Sequence, residues 1–440
     1  MRNPYNVGRW VRGDQHYGRQ KLIEHLLTAK DQAIWVIGTR RMGKTSLLRQ
    51  LESITAHDSN SVYVPLFWDI QACETAEDMA YELFVSMEDE SDRFNALGID
   101  IPALQAMDVN RILRLVQRTL DTQGKQLLLL IDEAEALINV ARNSNRDLAR
   151  LRQTLQKGEH RTIMTATKQL MQIDDLMRDW LTSPFLFGFN LVNLWDLDLD
   201  SGKALIRQDQ NVEQVVVEPV LMENILVYTN RHPYLIQYLC QKLFESPEDD
   251  QGLLRPLQAE DLQADHLMTS FLKTDFDHLS PTERQILLAV ARQAVADAES
   301  ISAGLNISSP SRVEGFLYGL YKLGYVRPLL GGWAIGNEFL RRWVVENHDT
   351  LARDTNSKVS DENMEALLRE GQRFEMTYLQ NEAGQIQQQI KELAAQRNSY
   401  GDQVPVALSD ALKQKRQELE DIRAQIRSLG GDLPIDPAQA

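Results

Sequence analysis

The chain has 440 residues, 43% of them hydrophobic and 25% charged, enough to bury a core without metal or disulfide support. Its 47 Lys and Arg against 63 Asp and Glu leave a net charge of −16, which argues against a protein whose main work is coating nucleic acid or anionic lipid but leaves room for a local basic groove. Two distant cysteines, Cys73 and Cys240, exclude a disulfide framework, and no Cys/His cluster has zinc-ligand spacing.

Residues 1–12 are polar and broken by Pro4 and Gly8, unlike a signal peptide, and Leu127 to Ile131 is too short an apolar run to span a bilayer. The expectation is a cytoplasmic protein with no membrane partner. A helix is predicted from Arg19 to Ala29. Ala33 to Ile37 is a continuous apolar run ending at Gly38, the pattern of a buried parallel strand. A helix from Lys44 follows, with Leu47, Leu48 and Leu51 at helical spacing. Val62 to Trp68 reads as a second strand that Pro65 weakens or places at an edge. Helical stretches cover 74–94 and 108–121. Gln126 to Ile131 and Thr162 to Thr167 are the third and fourth strands. Strands alternating with helices imply crossovers and a parallel sheet.

Beyond Asp196 the strand signal fades. Helices are predicted over 200–210, 218–229 and 233–245, then over 281–295, 300–307 and 310–323. A hairpin follows: Gly324 to Arg327, a Leu-Leu-Gly-Gly turn, and Trp333 to Ile335. Three helices and a ribbon is the order of a winged helix. Residues 349–362 read as a linker. Leu379, Ile386, Ile390 and Leu393, then Leu412, Leu419, Ile422, Ile426 and Leu429, fall at heptad steps around a break at Asn398 to Pro405. The predicted organisation is an α/β core over 1–195, a helical lid over 196–275, a winged helix over 276–348, an antiparallel coiled-coil hairpin over 363–430 and a tail over 431–440.

Gly38-Thr39-Arg40-Arg41-Met42-Gly43-Lys44-Thr45 fits G-x4-G-K-[ST] between a strand and a helix. The glycines let backbone N–H groups face phosphates, Lys44 reaches the β- and γ-phosphates, and the Thr45 hydroxyl is a Mg²⁺ ligand. The third strand ends in Asp132-Glu133: the first carboxylate suits Mg²⁺ and the second suits polarising the attacking water. An acidic helix start, with Glu135 following, is the plainer alternative. Thr167 ends the fourth strand where a hydroxyl would meet the γ-phosphate or the water, with Thr165 as competitor. Arg40 and Arg41 face nucleotide, a neighbouring subunit or solvent. Arg178 is a candidate arginine finger.

Several stretches together resemble one group, the bacterial STAND-type ATPases and related archaeal AAA+-like ATPases. Asn3-Pro4-Tyr5 with Tyr17-Gly18-Arg19 is similar to the group's N-terminal segment. The loop from Gly38 through Thr45, Ser46, Leu47 and Leu48 is similar to its phosphate loop. Ser183-Pro184-Phe185 running into Leu194, Leu197 and Leu199 resembles the passage from core to lid. His232-Pro233-Tyr234 resembles its Gly-x-Pro helix start, with Arg231 where the group has Gly. The resemblance covers about residues 1–348. It implies an ATP/ADP-operated switch that opens and oligomerises with ATP, with Tyr17, Gly18 and Arg19 bordering the adenine and Pro233 packing on it. Thr167-Lys168 stand where many members carry an arginine.

Residues 275–350 hold seven Lys and Arg against nine Asp and Glu, and the helix after Pro310 offers only Arg312 and Lys322. That favours a structural module over a DNA reader. The expected function is therefore a slowly hydrolysing Mg-ATP switch that self-associates or engages a partner protein through the coiled-coil hairpin. The resemblance adds a setting in bacterial signalling or antiphage defence. The alternatives are a DNA-associated AAA+ ATPase of the origin-recognition or transposon target-selection type, and a scaffold that holds nucleotide without turnover.

Overall fold

A computed structural model of the chain describes residues 2–176, 185–246, 252–305, 307, 309–357, scattered positions from 379 to 397, and 406–428. It forms two compact units, residues 1–271 with 337–339, and residues 272–336 with 340–440.

The first unit is built on a five-stranded parallel sheet. Its strands are β1 (Ala33–Ile37), β2 (Tyr63–Asp69), β3 (Gln126–Asp132), β4 (Arg161–Ala166) and β5 (Asn190–Asn193), in spatial order β2-β3-β4-β1-β5. β1, β4 and most of β3 are buried on both faces, as the continuous apolar runs of β1 and β3 require; β4 is buried with Arg161, Thr162 and Thr165 in it. Pro65 is tolerated because β2 is an edge strand. β5, at the opposite edge, has only four residues with asparagine at each end, and sequence periodicity does not reveal it.

The helices of this unit are α1 (Gln20–Thr28), α2 (Lys44–His57), α3 (Ala76–Asp89), α4 (Ser91–Ala96), α5 (Val109–Asp121), α6 (Leu137–Asn143), α7 (Asn145–Lys157) and α8 (Gln172–Leu176). The stretch expected to be one helix over 74–94 is divided at Glu90, whose φ of −107° leaves the helical region. Thr75 and Asp78 form a reciprocal capping box on α3, and Asp108 caps α5. Leu47, Leu48 and Leu51 of α2 pack on Ile34, Val36, Leu128 and Leu130 to form the core. After β5 in the chain follow α9 (Leu199–Arg207), α10 (Pro219–Thr229) and α11 (Pro233–Leu243), with a short β6–β7 pair (Phe244–Glu245, Leu253–Leu254). Cys73 and Cys240 are free and buried.

Four further helices, α12 (His266–Asp277), α13 (Pro281–Ala291), α14 (Ala298–Leu305) and α15 (Pro310–Lys322), precede the antiparallel hairpin β8–β9 (Val326–Leu329, Gly332–Ile335). Within the second unit Phe276 meets Trp343 edge-on, and the buried Arg284 guanidinium donates to the carbonyls of Phe276 and Asp277. α16 (Glu338–Ser357) runs helically through residues 349–357, the first part of the stretch read as a linker; its polar composition suits an exposed helix as well as a linker. The last described helix is α17 (Val406–Ser428). Leu419, Ile422 and Ile426 of α17 form a buried cluster with Leu379, Ala383 and Ile386, with Ile390 against it. Residues 358–362, Asn398 to Pro405, Leu429 and the 431–440 tail lie outside the described residues. Among the described residues no helix is long and apolar enough to cross a membrane.

Candidate nucleotide site

The strand order places the carboxyl ends of β1, β4 and β3 side by side, where the connections from β1 and β3 leave the sheet. Gly38 continues β1 and its N–H donates to the Ala166 carbonyl at 3.2 Å, anchoring the loop to β4. Gly43, the N-cap of α2, has φ +94° with open space where a Cβ would stand, so the loop curls there with its backbone bare. Lys44 is buried, and its ammonium donates to the carbonyls of Gly38 and Thr39 at 3.2 Å each, which holds the charge over the loop. Thr45 is the second residue of α2. Ser46 is engaged otherwise: its hydroxyl accepts the Val11 N–H at 3.1 Å.

Asp132 is buried at the end of β3. The register Ile131↔Met164 brings Thr165 beside it, and the Thr165 hydroxyl donates to the Asp132 carboxylate. Thr167 lies one residue past β4; its N–H donates to Glu135 at 2.5 Å, and among the described residues its buried hydroxyl has no hydrogen-bond partner. A second carboxylate oxygen of Glu135 is likewise buried and unpartnered. Glu133 turns out of the strand at φ +54°. Burial, then Glu135, push its carboxyl above the ordinary range; Lys44 opposes, Asp132 adds to the rise, and Arg40 opposes. The carboxylate pair, Lys44 and Arg40 thus share one field. Arg178 lies outside the described residues.

On the other side of the loop, the Arg19 guanidinium donates to the Met42 carbonyl at 2.9 Å and to the Trp195 carbonyl at 2.8 Å. Burial lowers Arg19 to about 10 against the pull of Asp196 and Asp198. Asp196 accepts from Asn230 at 2.8 Å, and burial raises its carboxyl to about 7 despite Arg19 and Arg231. Gly18 has φ +75°, and a Cβ there would stand 2.7 Å from Ser201. The buried Tyr17 hydroxyl accepts the Gln210 N–H at 3.3 Å. Arg231 takes φ +59°, the left-handed conformation that glycine adopts freely, and His232 and Pro233 then start α11. Burial and Arg19 hold His16 near 4 and His232 near 3, so both imidazoles are neutral at pH 7. The Arg41 guanidinium stands 5.5 Å over the Tyr234 ring and reaches the Gly8 carbonyl at 3.3 Å.

Of the residues singled out from sequence, Gly38 to Lys44, Asp132, Glu133, Thr167, Tyr17 to Arg19 and Pro233 all border this region. Thr165 as the partner of Asp132, Glu135 as the partner of Thr167, and Asp196 beside Arg19 were not foreseen in those roles. Only the strand order would have revealed the first of these. Among the described residues no group of three His, Cys, Asp or Glu could hold a metal ion alone. The Thr45 hydroxyl and Asp132 suit a Mg²⁺ that takes its remaining ligands from phosphate and water.

Residues 28–173 match the family model described as an AAA domain. They run from the end of α1 through both carboxylates to Ile173. No curated protein matches the chain. Among solved structures, a Walker-type ATPase of Pyrococcus abyssi superposes with TM-score 0.54 at 14% identity, over 78% of this chain and 99% of that one. The ORC2 protein of Aeropyrum pernix, solved in ADPNP-ADP complexes, gives 0.46 at 13% over 80% and 97%. The RuvB Holliday junction branch migration motor of Thermotoga maritima gives 0.32 at 15% over 72% and 92%. The chain has a P-loop NTPase α/β fold, with an AAA domain over residues 28–173.

Proposed function

We propose that the chain is a Mg-ATP-binding, slowly hydrolysing regulatory switch of the STAND/AAA+-like kind. The observation that carries this reading is the Arg19 guanidinium, which ties the phosphate-loop carbonyl of Met42 to the Trp195 carbonyl at the start of the lid helices. A change in the loop is passed to the lid through Arg19, and through Arg41, whose guanidinium stands over Tyr234 of α11. The N-terminal segment runs parallel to this link, with the Asn6 N–H on Gln237 of α11 and the Gly13 N–H on Gln50 of α2.

In this reading Lys44 neutralises phosphate charge, and Thr45 with Asp132 holds Mg²⁺ while Thr165 orients the carboxylate. Glu133 takes a proton from the attacking water, and the unpartnered Thr167 hydroxyl positions that water or the γ-phosphate. Tyr17, Gly18, Arg19 and Pro233 form the adenine side. Arg178 is a candidate in-trans finger. The three helices and hairpin of the second unit support a winged helix, and the Leu379/Leu419 cluster supports a coiled-coil hairpin that binds a partner protein or another copy. A cytoplasmic signalling or antiphage role rests on the resemblance alone. Hydrogen exchange of residues 196–243 with ADP, and then with a non-hydrolysable ATP analogue plus Mg²⁺, tests the coupling. The lid peptides change protection between the two states; identical protection removes the switch.

A further inference from the structure

An open groove of about 1340 Å³ lies between α3, α5 and α7, outside the nucleotide site. Arg111, Arg114 and Arg118 line it from one face of α5, at steps of three and four residues. At 1.5 Å rise per residue they span about 10 Å, the length of roughly three phosphates of a strand. All three are exposed, and among the described residues none of their guanidinium groups has a hydrogen-bond or ion-pair partner. Arg150 of α7 faces them from the other wall.

Three carboxylates share the groove. Asp108 is committed to the Arg111 N–H, and Asp147 accepts from Ser144 and stands 3.8 Å from Arg150; only Glu77, at the start of α3, has neither duty. Tyr81 lies on the same surface with 63% of its area exposed. In a chain of net charge −16, four arginines against three carboxylates leave this groove on the positive side. In the second unit Arg284 is buried on two carbonyls and Arg292 bonds His348.

We infer that this groove binds a single nucleic-acid strand, its phosphates on Arg111, Arg114, Arg118 and Arg150 and a base stacked on Tyr81. Arginine's planar fork suits phosphate oxygens, and a basic track beside an exposed aromatic ring is the arrangement that holds single strands without reading sequence. The site does not depend on the ATPase reading, because binding is measured without nucleotide.

The test is fluorescence anisotropy of a fluorescein-labelled dT20 with the full chain at 50 mM and 200 mM salt. Binding weakens with salt. Arg114→Glu with Arg118→Glu lowers affinity at least tenfold and flattens the log–log salt slope by about 1.4, the value for two phosphates neutralised on a single strand. Tyr81→Ala lowers affinity about fivefold or more. Arg312→Ala with Lys322→Ala, on α15, leaves it unchanged. Arg114, Arg118 and Tyr81 are exposed while Arg312 and Lys322 are partly buried, and circular dichroism melts confirm that each variant folds. Absence of dT20 binding at 50 mM salt, or equal loss from the α15 pair, overturns the inference. Tighter capture of a 20-residue polyglutamate than of dT20 also overturns it, in favour of an acidic protein partner.

Discussion

The Thr165 hydroxyl, one strand away on β4, donates a hydrogen bond to the Asp132 carboxylate at the end of β3. Two residues later Thr167 turns its N–H to Glu135 and leaves its hydroxyl without a partner among the described residues. The two threonines therefore have separable duties. Thr165→Val leaves a buried carboxylate short of a donor, a cost of about 1–3 kcal/mol, so it lowers Tm and raises the Mg²⁺ concentration needed for ATP binding. Thr167→Val leaves both nearly unchanged and lowers turnover. Calorimetric titration of ATP over a Mg²⁺ series, beside phosphate release, separates them; identical behaviour of the two variants would contradict these assignments.

Lys44→Ala removes the ammonium that reaches both the Gly38 and Thr39 carbonyls. A charged hydrogen bond to phosphate contributes about 1.5–3 kcal/mol, so ATP affinity falls roughly 10- to 100-fold. Calorimetry checks this, and parent-like affinity would mean that the loop does not hold phosphate.

Glu133→Gln is expected to cut phosphate release by about 100-fold or more while nucleotide still binds. The raised carboxyl adds a stability signature. A carboxyl whose folded value lies above its unfolded one stabilises the fold at low pH, and that contribution is lost as pH rises through the folded value. The ionised form of Glu133 is therefore the costly one, and the neutral glutamine variant melts higher than the parent once that carboxyl has ionised. Parallel phosphate-release assays and melts at pH 7 measure both; a lower Tm with undiminished turnover would refute the role.

Much of this site is legible from sequence, because Gly38 to Thr45 and Asp132-Glu133 carry their chemistry in local spacing beside strongly apolar strands. Local spacing does not say which strand lies beside β3, so Thr165 and Thr167 could not be separated before the order β2-β3-β4-β1-β5 was known. β5 was invisible because an edge strand of Asn-Leu-Val-Asn needs little apolar content. The Arg231 position shows a different limit. The left-handed turn there is met by an arginine at φ +59°, and residue type alone does not predict that it forms.

Asp196 gives a pH dependence of its own. Its carboxyl moves from an ordinary 3.8 to about 7 through burial, against Arg19 and Arg231. Its stabilising contribution is complete below the ordinary value and is lost as pH climbs toward about 7. Asp196→Asn keeps an acceptor for Asn230 and removes the titration. The Tm advantage of the variant over the parent grows between pH 5 and pH 8; a constant difference would show that Asp196 does not titrate there.

Gly18→Ala forces a Cβ to 2.7 Å from Ser201 at φ +75°. Overpacking of this kind costs about 1–3 kcal/mol, with left-handed strain of roughly 1 kcal/mol or more added. Denaturant melts report the loss, and Ser201→Gly restores part of it. Unchanged stability would mean that the Tyr17–Arg19 segment does not pack on α9.

The most direct measurement of the central claim is solution mass by light scattering, first with ADP and then with a non-hydrolysable ATP analogue plus Mg²⁺. The switch predicts a monomer with ADP and assembly with the analogue, abolished by Lys44→Ala. The same mass in both nucleotide states, with nucleotide shown to be bound, would contradict it.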